Sequence, residues 1–389
     1  MQQPKERIYA FDTLRTIMVL LGIMLHAAAI YCATDVDQPS SFVDSHNHSQ
    51  FFDLLVDLIH TFRMPVFFVI SGFFTAMLAV ENGYKKMITN RLHRLVYPFL
   101  AGVIIMIPMS IYYINLYQNV LQHPNSPFDI TYNYLPNIFN LANISTYHLW
   151  FLYYLICFCF LFYMLSNYVG KWLPNFGSKL TSYFNYIFHL KGLPIIFALK
   201  TILFLGIMGT IRLTTVSTFS IKVPFFLTYL TFFTFGWFLY KNKHRMYTFT
   251  NSPISLILGG LLLFSVRWML LLLYPDYETN ALFYLLLISY GISIWLFIYG
   301  FLGVFFKYFN FYSSIAKYIS DGSYWIYLIH FPILIFVQIE LLPYKISPFL
   351  KFFFAMLVTV FLSVISYNYC VRNTFIGKFL NGKKYPKAF

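Results

Sequence analysis

Ten apolar stretches of about twenty residues, near 11–32, 64–80, 95–117, 149–167, 193–211, 223–240, 253–274, 281–304, 323–342 and 349–370, succeed one another along the chain with polar intervals between them. At a rise of 1.5 Å per residue, about twenty helical residues cross a hydrocarbon layer about 30 Å thick. Inside that layer no water reaches the backbone N–H and C=O groups, so each stretch must satisfy them within itself, as a helix does. The pattern predicts an all-α polytopic membrane protein with about ten transmembrane helices. No small-residue cleavage site follows the first stretch, which is expected to be a retained span. Without an internal repeat or a low-complexity linker, one transmembrane domain is expected over residues 1–375, followed by a short basic tail at 376–389.

The polar intervals alternate in charge. Lys5 and Arg7, then Lys85, Lys86, Arg91 and Arg94, then Lys171, Lys179 and Lys191 fall on one side of the predicted membrane. Lys241, Lys243 and Arg245, then Lys307 and Lys317, then Arg372, Lys378, Lys383, Lys384 and Lys387 follow on the same side. The other intervals are acidic or neutral: residues 33–60 hold Asp35, Asp37, Asp44, Asp53 and Asp57 without a Lys or Arg, 118–147 hold Asp129 alone, and Asp276 and Glu278 have no basic neighbour. A short turn bounded by Arg212 and Lys222 is the exception. By the positive-inside rule both termini, the tail included, are expected in the cytoplasm.

Composition agrees with lipid as the main solvent: 59% of residues are hydrophobic, 22% aromatic and 10% charged. The net charge of +14 is accounted for by topology, so nucleic acid is not an expected partner. The four cysteines form no CxxC pair and no His cluster at metal spacing, leaving no case for a disulfide framework or a metal site.

Within so apolar a chain the ionisable residues carry the chemical information. Arg15 and His26 are eleven residues apart, close to three full helical turns, so they share one face of the first span roughly 16 Å apart in depth, with Asp12 one turn before Arg15. Such a face suits an aqueous or protein-lined path. Spacing alone leaves equal room for Arg15 snorkelling to lipid phosphates and His26 as a packed histidine. Asp57, His60 and Arg63 follow one another at intervals of three at the predicted outer start of the second span, where Pro65 marks a helix start or a kink; an interfacial charged belt is the plainer alternative. Ser71-Gly72 offers small residues for close approach of a helix or a ligand.

Arg91, His93 and Arg94, with Lys85 and Lys86, form the densest basic patch, able to hold the phosphates of a nucleotide-bearing donor or to serve topology alone. His148-Leu-Trp150 reads by default as an interfacial aromatic anchor, and His330 as a packing histidine beside Pro332. Arg267, inside the seventh stretch without an acid one turn away, needs a partner from another helix, an anionic ligand, or headgroups reached by snorkelling; snorkelling is the favoured expectation. Walker A, GxSxG, HExxH and dinucleotide-binding patterns are absent.

Taken in order, Phe11-Asp12-x-Leu14-Arg15-x10-His26, Phe62-Arg63-Met-Pro65-Val-Phe67-Phe-Val-Ile-Ser71-Gly72-Phe, Arg91-x2-Arg94, His148-Leu-Trp150-Phe151-Leu and Ser323-Tyr-x-Ile-Tyr-Leu-x-His330-x-Pro332 resemble the acyltransferase 3 family of membrane acyltransferases. The resemblance covers essentially the whole chain. It implies a multi-pass protein of a bacterial-type inner membrane, with cytoplasmic acyl-CoA (acetyl-CoA or succinyl-CoA) as donor substrate, no bound cofactor, and a hydroxyl of an extracytoplasmic envelope carbohydrate, such as a glucan or lipopolysaccharide O-antigen, as acceptor. Acyl transfer needs a base and an oxyanion stabiliser, and His26 is the candidate base or transient acyl carrier. Arg15 is expected to hold the phosphates or pantetheine arm of the donor, assisted by Arg91 and Arg94, while His60, Arg63 and His148 line the acceptor side. A multi-pass transporter or flippase of an envelope precursor is the competing class.

Overall fold

The computed structural model describes residues 8–34, 44, 48–123, 145–169, 193–275, 281–382 and 384–386, with scattered positions between 125 and 131 and between 172 and 186. Asp35, Asp37, Asp129, Asp276 and Glu278, and the basic Lys5, Arg7, Lys171, Lys191, Lys383 and Lys387, lie outside the described residues. The described chain is helical: α1 (Tyr9–Ala29), α2 (Gln50–Asn82), α3 (Tyr84–Arg91), a π-helical turn (Leu92–Val96) and α4 (Tyr97–Gln122), then α5 (Trp150–Met164), α6 (Leu193–Ile207) and α7 (Val223–Lys241). There follow α8 (Pro253–Leu273), α9 (Ala281–Tyr308), α10 (Ser314–Leu341), α11 (Pro348–Ser366) and α12 (Phe375–Asn381). Nine of the described helical segments are long and apolar enough to cross a membrane, with α3, the π turn and α4 forming one of them, and Ile195–Ile207 in α6 is a shorter apolar helix. The chain is an all-α polytopic membrane protein.

The largest departure from the hydropathy reading is α2, which begins at Gln50 rather than near 64 and carries Pro65 in its interior. Polar residues in its first half delay the apolar signal, yet they are accommodated. Asp53 accepts from the backbone N–H groups of Ala33 and Thr34 at 2.8 and 3.0 Å, which ties the chain leaving α1 to α2. Ser49 caps the helix by accepting from Phe51 N–H.

α1 packs on both α2 and α10, and all three bury most of their surface, while α7 and α9 lie behind α2, and α4 and α11 flank α10. Polar contacts join α1 and α10 at several depths: Ser320 Oγ donates to Asp12 Oδ1 at 3.1 Å, Thr16 Oγ1 to the Ala316 carbonyl at 3.0 Å, and Gln338 Nε2 to the Ala27 carbonyl at 3.3 Å. In an apolar solvent such bonds and close backbone approach take over from hydrophobic burial as the source of helix association. Close approach is what Gly72 supplies. A Cβ added there would collide with the Phe233 carbonyl, and one on Gly236 with the Val69 carbonyl, so α2 and α7 cross backbone to backbone. Gly236→Ala is expected to cost roughly 1–3 kcal/mol by forcing the crossing apart. Thermal unfolding in detergent reads this as a lowered midpoint, and an unchanged midpoint would show that the crossing is loose.

Candidate active site

One cavity of about 930 Å³ runs through the packed helices. Its α1 wall extends from Ile8 to Ala29, and at 1.5 Å per residue these positions are about 31 Å apart, close to the thickness of a hydrocarbon layer. The predicted face of α1 is the face that lines it: Asp12, Arg15, Gly22, His26 and Ala29 recur at helical spacing. Arg15 lies towards the Ile8 end with its guanidinium 5.1 Å from the centre of the Phe74 ring.

The Ile8 end also holds Arg91 and Arg94. The π-helical turn that begins at Leu92 widens the helix between them, a local irregularity common at functional sites. Arg91 Nη2 donates to Thr75 Oγ1 at 2.9 Å while its buried Nε has no partner. Arg94 Nη2 donates to the Asn381 carbonyl at 2.8 Å, so the basic tail does not simply trail away: α12 is docked, with Leu380, Asn381 and Tyr385 in the cavity wall. His93, Lys85 and Lys86 do not line the cavity.

The middle of the cavity gathers residues from four elements. His60 and Arg63 come from α2, His148 from the short 3-10 turn before α5, and His330 from α10. The ring centres of His26 and His330 are 5.4 Å apart, and those of His330 and His148 are 5.5 Å apart. Phe331 closes the group, 5.2 Å from both His26 and His148. The interfacial-anchor reading of His148 gives way here, because only 6% of the residue is exposed and it belongs to the cavity wall. Its placement follows from a proline. Pro332 has no N–H, so the carbonyl of Leu328 four residues earlier lacks its helical partner, and His148 Nε2 lies 3.1 Å from that oxygen. A carbonyl only accepts, so Nε2 carries the proton and the buried, unpartnered Nδ1 carries the lone pair. Tyr327 Oη donates to the His148 carbonyl at 2.5 Å and locks the same turn.

His330 is more than the packing residue the sequence suggested. Its Nδ1 lies 3.1 and 2.8 Å from the carbonyls of Ile326 and Tyr327, so this nitrogen is the N–H, leaving Nε2 as an acceptor on a ring that lines the cavity. Tyr327, which belongs to the motif ending at His330 and Pro332, also lines it, as do Thr215 and Ser217, which the sequence does not mark. For Thr215 and Ser217 no signal existed, since they enter on the turn bounded by Arg212 and Lys222, which bonds to the chain before α5: Thr146 N–H and Ser145 Oγ donate to the Ser217 carbonyl at 2.5 and 2.7 Å.

Two expectations are corrected. Arg267 does not snorkel: it is 1% exposed, and its Nη1 lies 2.6 Å from Asp57 Oδ2 with the guanidinium 4.7 Å from the centre of the Tyr290 ring. A carboxylate within helix-crossing reach removes the penalty that would otherwise drive the arginine to the headgroups. The trio Asp57, His60 and Arg63 accordingly divides, with Asp57 turned to α8 and α9 while His60 and Arg63 face the cavity. The interfacial-belt alternative for this trio does not apply, since Asp57 and Arg63 are 4% and 8% exposed. Ser71 lines the cavity, and Gly72 receives α7.

Comparison with known proteins agrees in extent. A family model described as an acyltransferase domain matches residues 8–368, from the start of α1 through α11. Glucans biosynthesis protein C of Escherichia coli O157:H7 is 28% identical over 99% of this chain and 97% of its own length. The proteins of that name from Escherichia coli strain K12 and Shigella dysenteriae serotype 1 are each 27% identical over the same shares. No solved structure matches the chain. With the family matched from the first helix to the eleventh, around a cavity that carries its polar motifs, the chain belongs to the acyltransferase 3 family and is a multi-pass membrane acyltransferase.

Proposed function

We propose that the chain is an O-acyltransferase of a bacterial-type inner membrane that moves an acyl group from cytoplasmic acyl-CoA to a hydroxyl of an envelope carbohydrate on the far side. The observation that carries the reading is a continuous cavity whose α1 wall matches the thickness of a membrane, with arginines at one end and histidines midway. A donor and an acceptor confined to opposite compartments can meet in such a cavity without either crossing completely. The name shared by the relatives, glucans biosynthesis protein C, points to a glucan as the acceptor class.

In this reading the phosphates and pantetheine arm enter at the Ile8 end, where Arg94, Arg91 and Arg15 line the cavity, Arg91 and Arg15 reaching the adjacent α2 residues Thr75 and Phe74. Guanidinium forks suit phosphate. His26, half-buried on the cavity wall, takes the proton of the acceptor hydroxyl as the oxygen attacks the thioester carbon, and the leaving thiolate receives it. The path is equally open to a transient acyl group on His26. His60 and His148 border the acceptor. Pairing with Asp57 removes Arg267 as the cation for a succinyl carboxylate, so acetyl and succinyl donors are separated by assay.

The test is to incubate the purified protein in detergent with labelled acetyl-CoA or succinyl-CoA and a crude glucan fraction. Labelled ester is the expected product, and its absence with both donors overturns the reading. Arg91→Gln is expected to raise KM for acyl-CoA about tenfold or more, since a hydrogen bond to a charged group contributes roughly 1.5–3 kcal/mol. Donor titration measures it, and an unchanged KM would remove Arg91 from the donor path.

A further inference from the structure

Arg63 is a buried cation of this cavity whose charge no carboxylate among the described residues answers. It is 8% exposed, its Nε has no partner, and its one hydrogen-bonding contact is Nη2 to the Met64 sulfur at 3.4 Å. Among the described residues no carboxylate pairs with it; Asp57, two turns earlier on the same helix, is held by Arg267. A buried charge left in this state costs several kcal/mol unless a ligand or a reacting group completes it.

Its position says which. A Cβ built on Gly22 would lie 2.6 Å from Arg63 Nη1, and among the described residues of the other helices only the Arg63 side chain comes within 4 Å of it. The guanidinium thus rests against α1 in the gap that a glycine leaves, one helical turn before His26. Side chains on a helix lean towards its N-terminus, so the His26 ring reaches back towards that level. Gly22 is also about 10 Å beyond Arg15 along the axis, on the way from the donor end. Three donors nearby are already occupied: Tyr327 Oη by the His148 carbonyl, His148 Nε2 by the Leu328 carbonyl, and His330 Nδ1 by the carbonyls of Ile326 and Tyr327.

We infer that Arg63 is a catalytic residue that stabilises the oxyanion of acyl transfer, and that Gly22 is its positioning residue. The inference rests on the acyl-transfer reading above. As the acceptor oxygen bonds to the thioester carbon, its proton passes to His26 and the carbonyl π pair moves to oxygen, generating a negative charge beside Arg63. The C–S bond then breaks as that pair returns, and the thiolate leaves with the proton from His26. A preformed cation aimed at a charge that exists only in the transition state accelerates the chemical step without tightening substrate binding.

The experiment measures kcat and KM for wild type, Arg63→Gln, Arg63→Lys, Gly22→Ala and the Arg63→Gln/Gly22→Ala double variant, with each donor the wild type accepts. Arg63→Gln is expected to lower kcat about 10²- to 10³-fold with every donor while leaving KM within about twofold, and Arg63→Lys to recover part of the loss. Since no carboxylate is orphaned, Arg63→Gln should retain or raise the thermal midpoint, which separates catalysis from misfolding. Gly22→Ala displaces only the flexible end of Arg63, so it should fold, lower kcat about tenfold, and have no effect in the Arg63→Gln background. An Arg63→Gln effect on KM alone, a loss confined to succinyl-CoA, or Gly22→Ala multiplying in the double variant each overturns the assignment. Ester formed by wild type with unchanged kcat in Arg63→Gln removes Arg63 alone, whereas no ester from wild type brings down the acyl-transfer reading and this role together.

Discussion

Replacing His26 with alanine is expected to abolish acyl transfer while leaving membrane insertion and abundance near those of the wild type. The chemical part follows from what a base contributes, typically about 10²- to 10⁴-fold. If the acyl group rests transiently on the ring, the loss is complete. The structural part follows from packing. His26 is half-buried, its Nδ1 has no hydrogen-bond partner, and its ring contacts with His330 and Phe331 are at 5.4 and 5.2 Å, so removing it orphans no polar group and leaves α1 an equally good helix. Labelled ester formation by His26→Ala, normalised to protein recovered from the membrane, is the measurement. Full activity would end the proposal that His26 acts in the chemistry; loss of activity with loss of protein would instead assign it to packing.

Breaking the Asp57–Arg267 pair is expected to have the largest effect on stability. Asp57 on α2 is 4% exposed and Arg267 on α8 is 1% exposed, and the guanidinium also lies over Tyr290 of α9, so the pair ties three helices together. Removing one partner strands the other charge in a low-dielectric interior, a change that costs roughly 3–5 kcal/mol. Arg267→Ala and Asp57→Ala should each lower the thermal midpoint in detergent by several degrees. The double variant, in which no charge is stranded, should be less impaired than either single one, because the cost is that of an unpaired ion rather than of a lost bond. Additive losses would show that the two residues act separately. Activity should fall too, since Asp57 precedes His60 by one turn and Arg63 by two, and any shift of that part of α2 displaces both from the cavity.

Hydropathy located the spans well where the side chains are apolar and badly where they are not. The second span shows why. Between Gln50 and Arg63 the sequence carries Asp53, Asp57, His60 and Arg63, and a scale that charges each of these a fixed penalty ends the span before them. In the fold Asp53 is met by two backbone N–H groups of the chain leaving α1, Asp57 by Arg267, and His60 and Arg63 by the cavity, so the helix continues through all four. The penalty depends on partners more than two hundred residues away in the case of Arg267. Hydropathy has no access to them.

The sequence by itself determined the helical class, since a chain this apolar must bond its backbone internally, and it determined that Asp12, Arg15 and His26 share one face of α1, since the 3.6-residue period fixes direction within a helix. The ordered motifs that resemble the acyltransferase 3 family were equally legible. Only the tertiary structure decided that this face lines a cavity with Arg63, His148 and His330, that Pro332 frees the carbonyl that holds His148, and that Arg267 takes Asp57 and leaves Arg63 without a carboxylate among the described residues. The reason is physical. Direction around a single helix is a local property of its backbone, whereas the free energy of a charge in a membrane is set by whatever other helices bring to it.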